Sequence, residues 1–300
     1  MVKLQTIVDS KPSDWKIGYE DRILMLGSCF ADEMAEQMSR RGLHVTSNPF
    51  GTLYNPLSIA NAINFQFSLL NSQLVEYDGL WHSMAHHGSF SRATKEEAEQ
   101  AVRSSIGAMQ EALSGATVII VTFGSAWVYE WALSEQRERS FYFEQSGLFP
   151  IVANCHKMPE SWFTRRRLSV EEIVAAWRPI IAEYPDKHWI FTVSPIRHIR
   201  DGLHENQLSK AALLMAVEEL MNTEYRVHNT DRVAYFPSYE IVLDELRDYR
   251  FYADDLVHPS SLAVEYIWER FVDTFCTNQT RNQMQIELKR WKQFQHRPLR

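Results

Sequence analysis

The stretch LMLGSCFADEMAEQM, Leu24 to Met38, decides how this chain is read. An apolar run stops at Gly27-Ser28-Cys29, and Phe30, Met34 and Met38 then recur at helical spacing. A buried strand therefore hands over directly to a helix, with a serine at the junction. A hydroxyl there points into the crevice above a sheet. The serine's own backbone N–H is expected to lack an intrahelical partner, as the first N–H groups of helices do. That N–H and the dipole behind it favour negative charge. A nucleophile at Ser28 would carry part of its own oxyanion hole. The plainer reading is that Ser28 caps the helix.

Working outward, further apolar runs read as strands: Arg22 to Leu26, Leu43 to Thr46, Thr117 to Phe123, His188 to Val193 and Arg232 to Phe236. Apolar residues in succession suit strands covered on both faces, as in parallel sheets. Helical patterns fill the intervals, near 94–114, 170–184, 206–225 and 260–275. Two of them open with capping-box signatures, Thr94 with Glu97 and Ser169 with Glu172. Strands alternating with helices predict an α/β fold with a doubly wound sheet. Trp127 to Asn154, aromatic and rich in turn residues, breaks the rhythm and predicts a β-rich insertion after the third strand. That is the end of the sheet where α/β proteins bind ligands. One domain is expected over 1–300, with a core at 20–277 and a C-terminal helical segment at 278–300. In that segment Ile286, Leu288, Trp291 and Phe294 are candidates to pack on the domain or on a partner chain.

Composition narrows the classes. The 300 residues are 45% hydrophobic, enough for a sizeable core, and carry a formal net charge of -7. Nucleic-acid binding has no support from that balance. Arg165-Arg166-Arg167 and the basic stretch from Arg281 to Arg300 read as solvated faces. No window approaches the roughly 20 apolar residues of a membrane helix, so no membrane partner is expected. The N-terminus has no apolar signal region. The three cysteines, Cys29, Cys155 and Cys276, are odd in number and widely spaced. A reduced, cytoplasmic setting fits them best. No Walker A, GxGxxG or GxSxG motif occurs, which removes support for a nucleotide cofactor or an α/β-hydrolase elbow. His86, His87 and His156 form no metal-binding pattern. No cofactor and no metal are expected.

Near the other end, Asp254-Asp255-Leu256-Val257-His258-Pro259 places a carboxylate three residues before an imidazole. On one turn the two side chains meet. A carboxylate on one ring nitrogen leaves the other free to take a proton from a serine. Asp254 is a rival orienter, and the plainer reading is an acidic turn capping the next helix, with Pro259 in its first turn.

The residues Gly27-Ser28-Cys29-Phe30-Ala31 spell the signature of the GSCFA domain family, which belongs to the SGNH (GDSL-like) hydrolase superfamily. The resemblance extends to Asn48-Pro-Phe-Gly-Thr-Leu-Tyr-Asn-Pro56, His86-His-Gly-Ser-Phe90, Phe123-Gly-Ser-Ala-Trp127, Val152-Ala-Asn-Cys-His-Lys157, Ser194-Pro-Ile-Arg-His198 and Phe251 to Pro259, covering about residues 20 to 275. It implies a three-layer, flavodoxin-like, mostly parallel five-stranded sheet. It also implies an esterase acting on a small-molecule or carbohydrate ester. Ser28 would be the nucleophile, His258 and Asp255 the acid–base pair, and Ser28 and Gly51 the backbone oxyanion donors. The superfamily's asparagine after the third strand is missing, because Ala126 stands in its place. Asn154 is the candidate replacement; the plainer reading is a turn asparagine bonding its own backbone.

Arg197, His198, His87 and Trp127 are candidate substrate contacts, each with a plainer role as loop, pocket lining or core. Tyr129, Trp131 and Phe141 join Trp127 as a candidate apolar wall. Two other classes stay open. Cys29 is a possible thiol nucleophile, and the missing asparagine suits a non-catalytic binding protein that keeps the crevice.

Overall fold

The run before Gly27 is β1 (Arg22–Gly27), and its alternation sorts the molecule into layers. Leu24 and Leu26 face one apolar core, while Ile23 and Met25 face another. The structure, a computed structural model, describes residues 5–65, 74–131, 151–222 and 232–295. In chain order the elements after β1 are α1 (Cys29–Ser39), β2 (His44–Ser47), α2 (Pro56–Asn64), β3 (Leu74–Tyr77), β4 (Leu80–Ser83), α3 (Lys95–Gly115) and β5 (Val118–Phe123). There follow β6 (Trp127–Trp131), β7 (Ile151–Val152), β8 (Phe163–Arg167), α4 (Val170–Glu183), β9 (His188–Val193), α5 (Leu203–Met221), β10 (Val233–Phe236), α6 (Ser261–Phe275) and α7 (Asn278–Gln295).

The central sheet has five strands in the order β10-β9-β5-β1-β2, all parallel. One face packs against α2, α3, α4 and α5, and the other against α1, α6 and α7. The doubly wound α/β expectation therefore holds, as does each of its five strands to within about a residue at either end. The chain builds outward from β1 to β2, then resumes on the other side of β1 with β5. The reversal falls between β1 and β5, and crevices at such reversals are where open α/β sheets bind ligands. Ser28 follows β1, and Gly124 follows β5.

The strands the sequence reading missed lie outside this sheet. Asp78 and Gly79 turn β3 into β4, both with positive φ (49° and 71°). Asp-Gly between short strands is a strong two-residue hairpin signal. The insertion after β5 is a three-stranded sheet, β7-β6-β8, and reaches Arg167 rather than Asn154. Residues 132–150, including Phe141, lie outside the described residues. Arg165, Arg166 and Arg167 form an edge strand, with ion pairs to Asp201, to Glu130 and Glu172, and to Glu205 respectively. Alternate charged side chains on an edge are compatible with a strand and discourage further pairing.

The capping signals fare unequally. Ser169 and Glu172 form a reciprocal box, whereas Thr94 only accepts from the Glu97 N–H. Pro259 does not enter α6. Ser260 caps that helix, and Pro259 instead bridges to Tyr252. In α7 the packed face carries Thr280 and Met284, with Trp291 under the Arg40 guanidinium. Ile286 and Phe294 point outward, with Phe294 75% exposed. Spacing by four from Thr280 selects Met284 rather than Ile286.

Candidate active site

Gly27 sets the junction between β1 and α1. Its φ is 130°, and a Cβ there would stand 2.1 Å from the Thr122 carbonyl oxygen. Asn48, after β2, accepts the Gly27 N–H on Oδ1 at 2.8 Å. Asn48 Nδ2 and the Ser47 hydroxyl in turn bond the Asp32 carboxylate in the first turn of α1. The loop carrying Gly51 is thus tied to the helix that Ser28 opens.

Ser28 is in extended conformation at the N-cap of α1, yet its side chain makes no capping bond. It is 1% exposed, and Oγ has no hydrogen-bond partner among the described residues. The simple cap reading does not describe this hydroxyl. The Ser28 N–H has no partner within α1, as expected, but it is not free for an oxyanion, because it donates across to the Thr122 carbonyl at 3.2 Å. The ladder between β1 and β5 runs one residue past the strand. Behind Ser28 sits Gly124, where a Cβ would lie 3.3 Å from the Ser28 Cβ and 3.0 Å from the Tyr54 carbonyl.

Asp255 and His258 meet as their spacing predicts. Asp255 Oδ2 is 2.6 Å from His258 Nδ1, and Oδ1 accepts the N–H groups of Val257 (2.9 Å) and His258 (3.0 Å). Those bonds, the His258 backbone N–H first, hold the Asp255 carboxyl down to about 2. An ionised carboxylate fixes the proton on Nδ1 of a neutral imidazole and leaves Nε2 as the acceptor. That Nε2 stands 3.6 Å from Cys29 Sγ. The fold therefore brings the two ends of the chain together, with His258 facing Cys29, the residue after Ser28. Both members of the Asp–His pair are 48% exposed. Asp254, the rival, does not hold the ring.

The Cys29 thiol is pushed up, first by burial and then by Asp32 and Glu33, against the helix N–H groups that pull it down. A thiol so placed stays protonated near neutrality.

Arg197, expected near substrate, braces the loop beneath His258. Its backbone N–H donates to the Val257 carbonyl (3.1 Å) and its guanidinium to the Leu256 carbonyl (3.0 Å). Leu256 has φ 57°, an uncommon conformation for a branched side chain. His198 stands edge-on to Tyr54 with ring centroids 6.0 Å apart, and its Nε2 is buried without a partner. Burial first, then the nearby Lys210 charge, lowers its pKa to about 4.

The remaining candidates lie further along the crevice wall. Gly51 donates its N–H to the Asn48 carbonyl at 2.7 Å, within the loop's own turn. A Cβ on Gly51 would stand 2.4 Å from the His87 Cβ, the His87 N–H donates to the Phe50 carbonyl, and its Nδ1 pairs with the Ser89 hydroxyl. Asn154 Oδ1 accepts the His156 N–H at 2.7 Å, the turn role that was the plainer alternative, and its amide nitrogen points toward Gly88. Trp127 opens β6 beneath the Arg165 guanidinium, 3.8 Å from its ring centroid. His86 is fully buried between the hydroxyls of Ser83 and Ser105 and stacks on Phe50. Among the described residues no group of three or more His, Cys, Asp or Glu is placed to hold a metal ion, and no helix is long and apolar enough to cross a membrane.

Sequence reading missed one set entirely. On α5, Asn206, Ser209 and Lys210 are buried together with Leu213. Asn206 Oδ1 accepts the His198 N–H, Ser209 Oγ accepts the Ala126 N–H, and Lys210 Nζ donates to the carbonyls of Gly124 and Ser194. The signal was three polar residues at i, i+3 and i+4 on the side of a helix that ought to be apolar.

Compared with known families, residues 22–271 match the model of the GSCFA family. No curated protein matches the chain.

Proposed function

The chain belongs to the GSCFA family, and from that premise we propose that it is a serine hydrolase of the SGNH type that cleaves esters through an acyl-enzyme. The observation that carries this reading is the Asp255–His258 pair, bonded at 2.6 Å and held over the Ser28–Cys29 start of α1 at the sheet reversal. The strand order, second-first-third-fourth-fifth in the central sheet, is the flavodoxin-like order and supports the superfamily placement.

In the proposed reaction His258 turns from Cys29 to the adjacent Ser28 hydroxyl. Nε2 takes its proton as Oγ attacks the ester carbonyl. The alcohol leaves with that proton, and water releases the acyl group with His258 again as base. Asp255 holds the tautomer throughout. The oxyanion forms at the positive end of α1. The N–H groups of Ser28 and Gly51 serve it by exchanging their present carbonyl acceptors for the substrate oxygen. The substrate class is a small-molecule ester, with a carbohydrate acetyl ester as the specific candidate. The free state of all three cysteines supports a reducing, cytoplasmic setting.

A second reading, Cys29 as nucleophile, draws on the 3.6 Å contact with His258. The raised thiol pKa weighs against it. The test is labelling with a fluorophosphonate probe, read by peptide mass spectrometry, together with p-nitrophenyl esters of rising chain length. Phosphonylation at Ser28 and turnover that disappears in Ser28→Ala are the expected results. An unlabelled Ser28 after long incubation would leave a binding protein on this scaffold.

A further inference from the structure

Lys210 is 1% exposed, on the face of α5 that covers the carboxyl end of the sheet. Its Nζ donates to the Gly124 carbonyl at 2.6 Å and to the Ser194 carbonyl at 2.7 Å, the residues directly after β5 and β9. Among the described residues no carboxylate lies within ion-pair distance of it. The titratable groups facing it are Cys29, His198 and Tyr239, whose ring centre lies 5.7 Å from Nζ. A buried ammonium without a counter-charge is strongly disfavoured. Two carbonyl bonds do not call for a cation, because an amide side chain supplies two donors as well.

The place of this charge gives it a use. Gly124 is the shared point: its carbonyl takes the ammonium, and a Cβ built on it would lie 3.3 Å from the Ser28 Cβ. Gly124 thus stands between the charge and Ser28, and Ser209, next to Lys210 on α5, accepts the N–H of Ala126, where the asparagine side chain is missing. Ser28 Oγ and His198 Nε2, both buried and without a hydrogen-bond partner among the described residues, belong to side chains that neighbour Gly124. An uncompensated cation beside unpartnered polar atoms is the environment in which developing negative charge is stabilised without reorganisation.

We infer that Lys210 supplies the positive charge that stabilises the oxyanion formed at Ser28, in place of the absent asparagine side chain. The inference rests on the hydrolase reading. Lys210 acts through the field behind Gly124 and does not touch substrate, so it is a positioning residue. Burial pulls its pKa down to about 7. The charge is present below that pH and fades above it, which gives the reaction a falling alkaline arm.

The test is the rate of Ser28 phosphonylation by a fluorophosphonate probe between about pH 5 and pH 9, for the full chain and for Lys210→Gln and Lys210→Met. The wild type should slow about fivefold or more between neutral pH and pH 8.5, as the cation is lost. Lys210→Gln keeps donors for both carbonyls, yet should react about tenfold more slowly at neutral pH and show no falling arm. A Gln variant as fast as wild type, or a wild-type rate that stays level to pH 9, overturns the assignment. The wild-type profile decides alone if neither variant folds. A wild type unlabelled at every pH defeats the hydrolase reading and this role with it, a result distinct from labelling with a level alkaline arm.

Discussion

The Cys29 sulfur stands 3.6 Å from His258 Nε2, while the Ser28 hydroxyl, one residue earlier, is buried without a partner among the described residues. Of the two adjacent candidate nucleophiles at the start of α1, the imidazole thus meets the second. The thiol is in contact but held protonated by burial and by Asp32 and Glu33. In the proposed reaction the ring turns to the hydroxyl. Ser28→Ala should therefore reduce kcat/KM by about 10³-fold or more, and Cys29→Ala by less than about tenfold. Esterase assays on both variants decide. The reverse ranking assigns the chemistry to the thiol.

Arg197 offers a different kind of test, because it meets the backbone of the loop that carries His258. It holds the Leu256 and Val257 carbonyls in the turn that presents His258. Arg197→Met keeps the stem and removes the guanidinium bond, so the loop should loosen around Leu256. Turnover number should fall about tenfold while KM changes less than twofold, the pattern of a displaced catalytic group rather than lost substrate binding. A large rise in KM with kcat intact would assign Arg197 to substrate binding instead.

Much of this was legible in the chain. TVIIVTF, apolar and β-branched, could hardly be anything but a covered strand, and it is β5. Asp255 and His258 are local to one another, so three-residue spacing sufficed to pair them. What lay hidden depends on partners distant in sequence. The occupancy of the Ser28 N–H is decided by Thr122, on a neighbouring strand, and no pattern within the Gly27-Ser28-Cys29 turn reports it. Arg197 could be placed at the sheet's carboxyl end but not against a loop some sixty residues later. Two features were present in the sequence and passed over. Asp78-Gly79 marked a hairpin, and the polar side of α5 marked a buried polar face. Each breaks a strand–helix rhythm whose regularity dominated the reading.

Two glycines separate the needs of the fold from those of the site. A methyl at Gly27 would collide with the Thr122 backbone at 2.1 Å, in a conformation that already excludes most side chains. Gly27→Ala should cost more than about 2 kcal/mol and impair folding. A methyl at Gly124 meets Ser28 Cβ at 3.3 Å and the Tyr54 carbonyl at 3.0 Å, a tight fit rather than a collision. Gly124→Ala should remain folded, lose about 1–2 kcal/mol, and displace Ser28 enough to reduce kcat at least tenfold. Denaturant melts and ester turnover on the pair check both. Equal losses of stability would show that Gly124 serves the fold alone.

Acid should weaken the protein before its carboxylates matter. Burial lowers the pKa of His86 to about 3 and, as the leading cause, those of His156 and His198 to about 4. An unfolded histidine accepts its proton near pH 6.5. Between that value and about pH 4 the unfolded chain binds protons that the folded chain refuses, so stability falls as pH falls, by up to ~1.4 kcal/mol per pH unit for each ring. Asp255, held down to about 2, contributes stability above the usual aspartate range and loses it only on the way to 2. Glu240, raised by burial, takes its proton more readily when folded and works in the opposite direction over the range just above its ordinary value. The histidine window therefore comes first. His86→Gln leaves an amide between the Ser83 and Ser105 hydroxyls and removes one titrating ring. Urea unfolding measured from pH 7 to pH 4 should show a steep decline for the wild type, and for the variant a slope smaller by about one proton. Parallel slopes for the two proteins would mean that His86 takes up its proton without opposition from the fold.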